Sequence, residues 1–282
     1  LGSFFRSFAA AALLAAGPLA AQAALHFPAS APADTTDAPH RSLSAALSYG
    51  SNSTYFGRSQ AVAFPYTAAM LTYSAKSGLY GSVELYNLLN TANALDETDL
   101  TVGWDHDLGK TLDVSLSYSR FFFPTGSELV KSGVNNAFDA GLGQDWGAFY
   151  SRLSATYLFG KSTAKGDAFL VLENSRSFET KRGFGQHDYF SVEPVVSFAA
   201  GTQSFTEAAL NKRNGPASAA AKNRNVRRFS LVDYEFGVPV TYTVGKLAVS
   251  AGWRYVVPVN LPADDVDSRA LSIWTAGLTL TL

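Results

Sequence analysis

Cysteine is absent from the 282 residues, which excludes disulfides, thiolate nucleophiles and cysteine-ligated metals. Histidine is scarce: His26, His40, His106 and His187 are the four. They form no HExxH pair, so a catalytic zinc of that kind is excluded as well. Charged side chains are only 16% of the chain and the formal net charge is −1, which implies no bulk attraction to nucleic acid. Long apolar runs are nearly missing too. Although 47% of residues are hydrophobic, the one long run is Phe8–Ala21. Its span of about 14 residues falls short of the roughly 20 that a membrane-crossing helix needs.

That run reads as a signal for export. Arg6 is the only charge before it, Gly17-Pro18 would break a buried helix there, and Ala21-Gln22-Ala23 is a small-x-small cleavage site. Residues 1–23 are therefore expected to be a secretory signal peptide. Without Arg6, 21 basic residues face 23 acidic ones. Residues 24–41 carry Pro28, Pro32 and Pro39 with little apolar content, and are expected to form a flexible periplasmic tail.

From residue 42 to 282 the apolar content is spread over alternating segments. In Thr111–Ser119, Leu112, Val114, Leu116 and Tyr118 share one face, and Thr111, Asp113, Ser115, Ser117 and Ser119 the other. This period of two marks a strand with an apolar and a polar side. The strand from Phe229 repeats it. Val232, Tyr234, Phe236, Val238, Val240 and Tyr242 take one parity; Asp233, Glu235, Thr241 and Thr243 take the other. At the C-terminus Trp274, Leu278, Leu280 and Leu282 alternate with Thr275, Thr279 and Thr281. Twelve strands follow: Ser42–Gly50, Phe64–Ala75, Leu79–Leu89, Asp99–Asp107, Thr111–Phe122, Gly147–Phe159, Asp167–Ser177, Tyr189–Ala199, Gln203–Ala208, Phe229–Val244, Leu247–Val257 and Ala270–Leu282.

Alternation alone would also suit a soluble sandwich, and the connections separate the two. Short glycine-bearing links at 76–78, 108–110, 160–166, 200–202 and 245–246 alternate with long ones at 51–63, 90–98, 123–146, 178–188, 209–228 and 258–269. Tight hairpins need positive φ, hence glycine. Short turns on one side and long loops on the other mark an outer-membrane barrel. The expected fold is all-β: a transmembrane antiparallel up-and-down β-barrel of about 12 strands, with short periplasmic turns and long extracellular loops. In lipid such a sheet must close, because every backbone group needs a partner within the protein. Tyr73, Trp104, Tyr118, Tyr157, Trp253 and Tyr255 fall near strand ends, where an aromatic girdle would meet the lipid headgroups.

Residues 46–90 carry a more particular pattern. LSYGSNSTYFGRSQ is followed by FPY and then by LTYSAKSGLYGSVELYNLLN. Tyr55-Phe56-Gly57-Arg58, then Pro65, then Gly78-Leu79-Tyr80 resemble the opening hairpin of outer-membrane porins of the TorF-like kind and related uncharacterised barrels. The resemblance covers about a sixth of the chain and implies a small barrel, porin-like in function. A last strand ending on an apolar residue resembles the signature read by barrel-assembly machinery, with Leu282 in place of the usual aromatic.

The inward parity collects Glu84, Asp105, Asp113, Glu173, Glu193, Asp233 and Glu235, against Arg152 and Arg254. A basic residue facing mid-bilayer lipid costs about 2–4 kcal/mol, so these charges must line water or pair with one another. Two readings stay open: an acidic pore favouring cations, or a filled lumen in which the arginines neutralise carboxylates. Asp233 and Glu235, two apart on one wall, are the strongest candidates for setting selectivity, and one of them is expected to be protonated or paired with Arg254 on the next strand. A lipid-acting hydrolase reads less well. Outer-membrane phospholipases carry an NHxSNG-like motif, and neither His106 nor His187 has Ser two residues on.

Two long loops stand out. Lys212, Arg213, Lys222, Arg224, Arg227 and Arg228 occupy an acid-free stretch, suited to lipopolysaccharide phosphates if it is external, or else a solvated flexible loop. The 123–146 stretch holds Pro124, Leu129, Val130, Val134, Phe138 and Leu142, apolar enough to fold inward or cap the rim. The expected partners are outer-membrane lipid and lipopolysaccharide, small polar solutes or ions, and the assembly machinery, with no cofactor and no nucleic acid.

Overall fold

The computed structural model describes residues 41–59, 62–125, 127, 129, 134–160, 163–181, 188–204, 228–260 and 269–282. In chain order the strands begin with β1 (Ser42–Gly50), the two-residue β2 (Thr54–Tyr55) and β3 (Arg58–Ser59), β4 (Tyr66–Ser74), β5 (Leu79–Leu88) and β6 (Glu97–Asp107). They continue with β7 (Leu112–Phe122), β8 (Asn136–Asp145), β9 (Tyr150–Gly160), β10 (Thr163–Ser175) and β11 (Phe178–Lys181). The last are β12 (Asp188–Val192), β13 (Val195–Gly201), β14 (Ser230–Val244), β15 (Leu247–Pro258) and β16 (Leu271–Thr281).

All but β2 and β3 join one antiparallel sheet, which closes because β14 pairs with β15 and β1 with β16. β10 and β11 form a single interrupted wall strand, as do β12 and β13, so the closed barrel has twelve strands. The second interruption has a local cause. Pro194 lies between β12 and β13 beside Pro239 of β14, and neither can donate to the ladder. Glu193 N and Arg176 N still reach Pro239 O and Pro194 O, at 3.0 and 3.2 Å.

Burial is inverted relative to a soluble protein. Leu47, Leu71, Val102, Leu116, Leu153 and Leu278 are exposed around the outer wall, while Thr72, Ser82, Thr101, Ser115, Ser117, Thr156 and Ser197 are buried inside. Aromatic rings border this apolar belt. Tyr118 packs on Phe138 and Trp253 on Phe236, Tyr255 and Trp274 toward the end that carries residues 51–65. Trp104 stacks on His106, and Trp146 on Phe149, toward the other end. We call these the loop end and the turn end; both β1 and β16 have their outer termini at the turn end. The tight turns there use glycine where expected. Gly78 has φ +83, and a Cβ on it would lie 2.0 Å from Asp105 O, so no other residue fits.

Several sequence expectations need correction. The 123–146 stretch is not one loop, because β8 occupies Asn136–Asp145. The connections at 160–166 and 200–202 lie at the loop end, and Phe178–Lys181 is strand at the turn end rather than part of a long outer loop. Long and short connections therefore do not alternate throughout. Gln203 and Ser204 are not in a strand, and the rest of the expected 203–208 strand lies outside the described residues. Val232 faces inward: the pairing of β13 with β14 slips by one between Ala199 and Ala200, so Val232 bulges in and Leu231 takes the outward place.

Candidate functional site

The lumen is polar along most of its wall and carries two arginine-centred clusters. Toward the turn end, Arg152 of β9 donates to Asp113 Oδ1 of β7 at 3.0 Å and to Ser115 Oγ. Tyr150 OH donates to Asp113 Oδ2 at 2.9 Å. These side chains reach across β8, which lies between β7 and β9. They can do so because β8 presents glycines inward. A Cβ on Gly141 would lie 2.5 Å from Arg152 Nη2, and one on Gly143 would lie 2.0 Å from Tyr150 OH. Asp105 and Glu173 flank the cluster, Glu173 being the direct cross-strand partner of Arg152. Glu193 accepts from Ser175 Oγ at 2.8 Å.

Nearer the loop end, Arg254 of β15 is fully buried and donates to Glu235 Oε2 of β14 at 3.1 Å. Its other amino group donates to Thr54 Oγ1 at 3.1 Å. Thr54 belongs to the segment between β1 and β4, and that segment is the main surprise of the lumen. Its short β2–β3 hairpin, with Phe56 and Gly57 at the turn, folds inside the barrel instead of projecting from it. Phe56 stacks on Phe169 of β10 with ring centroids 3.7 Å apart and planes 2° from parallel. Tyr55 joins Phe121, Ala137, Leu158 and Val232 in one apolar cluster. Burial, with the Asp139, Glu97, Asp167 and Asp99 carboxylates around it, pushes the Tyr55 phenol well above its ordinary range.

Arg58 anchors the hairpin. It is only 2% exposed and donates to Gln203 Oε1 from Nε and Nη2, at 3.0 and 2.5 Å. It also donates to Val232 O at 3.0 Å and Val259 O at 2.9 Å. The hairpin thus lies inside the sector of wall that runs from β15 through β14 and β13 to β10. On the wall next to β15 the inward residues of β16 and β1 are small, Ser44, Ala46 and Ser48 facing Thr281, Thr279 and Gly277. Ser48 points inward and is exposed, so water has room along that side.

The nine charged residues expected inside are all on the inner parity or bonded to inward groups, but pairing divides them. Arg152 joins Asp113, and Arg254 joins Glu235 rather than Asp233. Asp233 instead lies against the hairpin tip, its Cβ 2.6 Å from where a Cβ on Gly57 would stand. Glu84 is buried opposite Asp99 on the next strand. Glu97, Asp99, Asp139 and Asp167 are further inward carboxylates that sequence reasoning missed, as is the Arg58 cation. Asp139 was hidden in an assumed loop, Glu97 beyond an assumed strand start, and Arg58 in a segment read as an outer loop. The 123–135 segment does contribute to the rim: Leu129 packs with Tyr66, Tyr86 and Leu88, and Val134 joins the Tyr55 cluster. Lys212, Arg213, Lys222, Arg224 and Arg227 lie outside the described residues, as do His26, His40, His187 and residues 1–40; Arg228 is exposed. His106 points outward beside Trp104 at the turn end.

No protein-family model and no curated protein matches the chain. Among solved structures it is similar to the KdgM porin, at 8% identity over 85% of this chain and 98% of that one, TM-score 0.47. It is also similar to the NanC porin, at 12% identity over 85% and 100%, TM-score 0.48. A third is LpxR from Salmonella typhimurium, at 10% identity over 84% and 99%, TM-score 0.48. These are likenesses of chain path; the barrel described above rests on its own strand pairing.

Proposed function

We propose that this chain is an outer-membrane β-barrel forming a porin-like channel for small polar solutes or ions. The observation that carries the reading is the division of the wall: an apolar belt outside, edged by aromatic rings, around an interior of Ser, Thr and charged groups. Leucines on the outside of a closed sheet are stable in lipid, and carboxylates on the inside need water or cationic partners. The acids inside outnumber Arg58, Arg152 and Arg254, which leaves a lumen suited to hydrated cations and polar molecules. The basic residues from Lys212 to Arg228 are proposed to meet lipopolysaccharide phosphates, and the C-terminal strand to be read by assembly machinery. A non-conducting structural or surface-binding barrel is the second reading, and the hairpin folded into the lumen favours it.

Two measurements test the proposal together. Folded protein should fractionate with the outer membrane and migrate differently in detergent gels before and after boiling. The same preparation should produce discrete conductance steps in planar bilayers. Folded, membrane-inserted protein without steps would favour the non-conducting barrel, and recovery in a soluble fraction would overturn both readings.

A further inference from the structure

We propose that the hairpin Thr54–Ser59 is a latch that holds the lumen narrowed, with Arg58 as its bolt; this rests on the channel reading above. The segment is built to move as a unit. Asn52 Oδ1 accepts from both Ser53 N and Phe64 N at 2.9 Å, so the two legs of the loop are pinched together at one neck. Beyond that neck β2 and β3 pair with each other and with no wall strand. The hairpin is therefore attached to the barrel by side chains, and its backbone ladder would survive release.

Four residues of the hairpin make attachments that can be named. Arg58 grips Gln203 and the carbonyls of Val232 and Val259 at the loop end of the wall. Thr54 accepts from Arg254, the residue that also neutralises Glu235. Phe56 lies flat on Phe169, and Gly57 lets the turn press on Asp233. Replacing the Arg58 guanidinium removes these hydrogen bonds to the wall while the apolar stack remains. Release would uncover Asp233 and free Arg254 from Thr54, widening the passage and presenting the acidic wall to solute. The latch thus links the size of the path to its charge.

Two proteins would be compared with wild type in planar bilayers in potassium chloride, each first checked for the heat-dependent gel shift of a folded barrel. In Arg58→Ala the bolt is gone. In the second, residues 54–59 are replaced by a glycine-serine linker. Unit conductance should rise at least threefold in both. Equal conductance in wild type, Arg58→Ala and the linker protein would overturn the latch and leave the channel standing. No conductance in any folded variant, the linker protein included, would overturn latch and channel together.

Discussion

The tip of the inner hairpin shows how one residue can carry a tertiary arrangement. Phe56 and Gly57 have φ of +46 and +70, the pair of left-handed conformations that a tight hairpin turn demands. Glycine tolerates this freely, whereas a phenylalanine there gives up about 1–2 kcal/mol. The stack on Phe169 and the surrounding apolar cluster offset that cost. A Gly57→Val substitution combines the forbidden φ with a Cβ 2.6 Å from Asp233 Cβ, and should loosen the hairpin by about 2 kcal/mol. Trypsin reads this directly, because Arg58 is buried in the closed state. Cleavage after Arg58, followed by mass spectrometry, should be at least tenfold faster in the variant; an unchanged rate would mean the hairpin is not held as described. Sequence reasoning had singled out Tyr55-Phe56-Gly57-Arg58 as a motif but had no means of telling that it turns inward. The partners that draw it in are more than a hundred residues away, at Phe169, Gln203 and Arg254.

At the scale of the element, the strands with clean alternation were legible and those that accommodate a neighbour's side chains were not. β1 was placed to the residue, and β5, β7, β14 and β15 to within a residue at each end, because their apolar residues hold one parity. β8 was missed. Its inward positions are Ala137, Asp139, Gly141 and Gly143, which read as loop because a strand rarely affords two such glycines. The glycines are there to let Arg152 and Tyr150 pass over to Asp113 and Ser115. Gly143→Val should therefore be costly although it raises local strand propensity. We expect about 2 kcal/mol of lost stability from overpacking, seen as a lower urea midpoint for the folded barrel in lipid. A midpoint equal to or above wild type would show that propensity outweighs the crossing. Other errors followed from that miss: without β8 the strands after it were given the opposite direction, which put the connections at 160–166 and 200–202 at the turn end, whereas Pro194 fell inside the expected Tyr189–Ala199 strand without dividing it.

For the whole molecule, closure and the inverted distribution of polarity are what the alternation implied, and the strand number was right although β8 was missed, because the expected 203–208 strand took its place in the count. What could not be read was which charges pair, since partners lie across the barrel rather than along the chain. The outer belt makes its own prediction. Leu116 is exposed in the middle of β7, whereas Leu108 lies in the turn before it. Leu116→Arg should lower stability in lipid by about 2–4 kcal/mol, and Leu108→Arg by about 0–1 kcal/mol. Similar costs at the two positions, from urea titrations in the same lipid, would contradict the placement of the belt.

The lumen's charge is the central claim, and the reversal potential in a planar bilayer with a potassium chloride gradient tests it most directly. Inward carboxylates exceed inward arginines even after the Arg152–Asp113 and Arg254–Glu235 pairs are set aside. A like charge in a narrow, low-dielectric passage raises the barrier for anions. The account predicts a reversal potential of the sign that favours potassium, reduced toward zero by Asp233→Asn with Glu235→Gln. A potential favouring chloride, or one that this double substitution leaves unchanged, would contradict it.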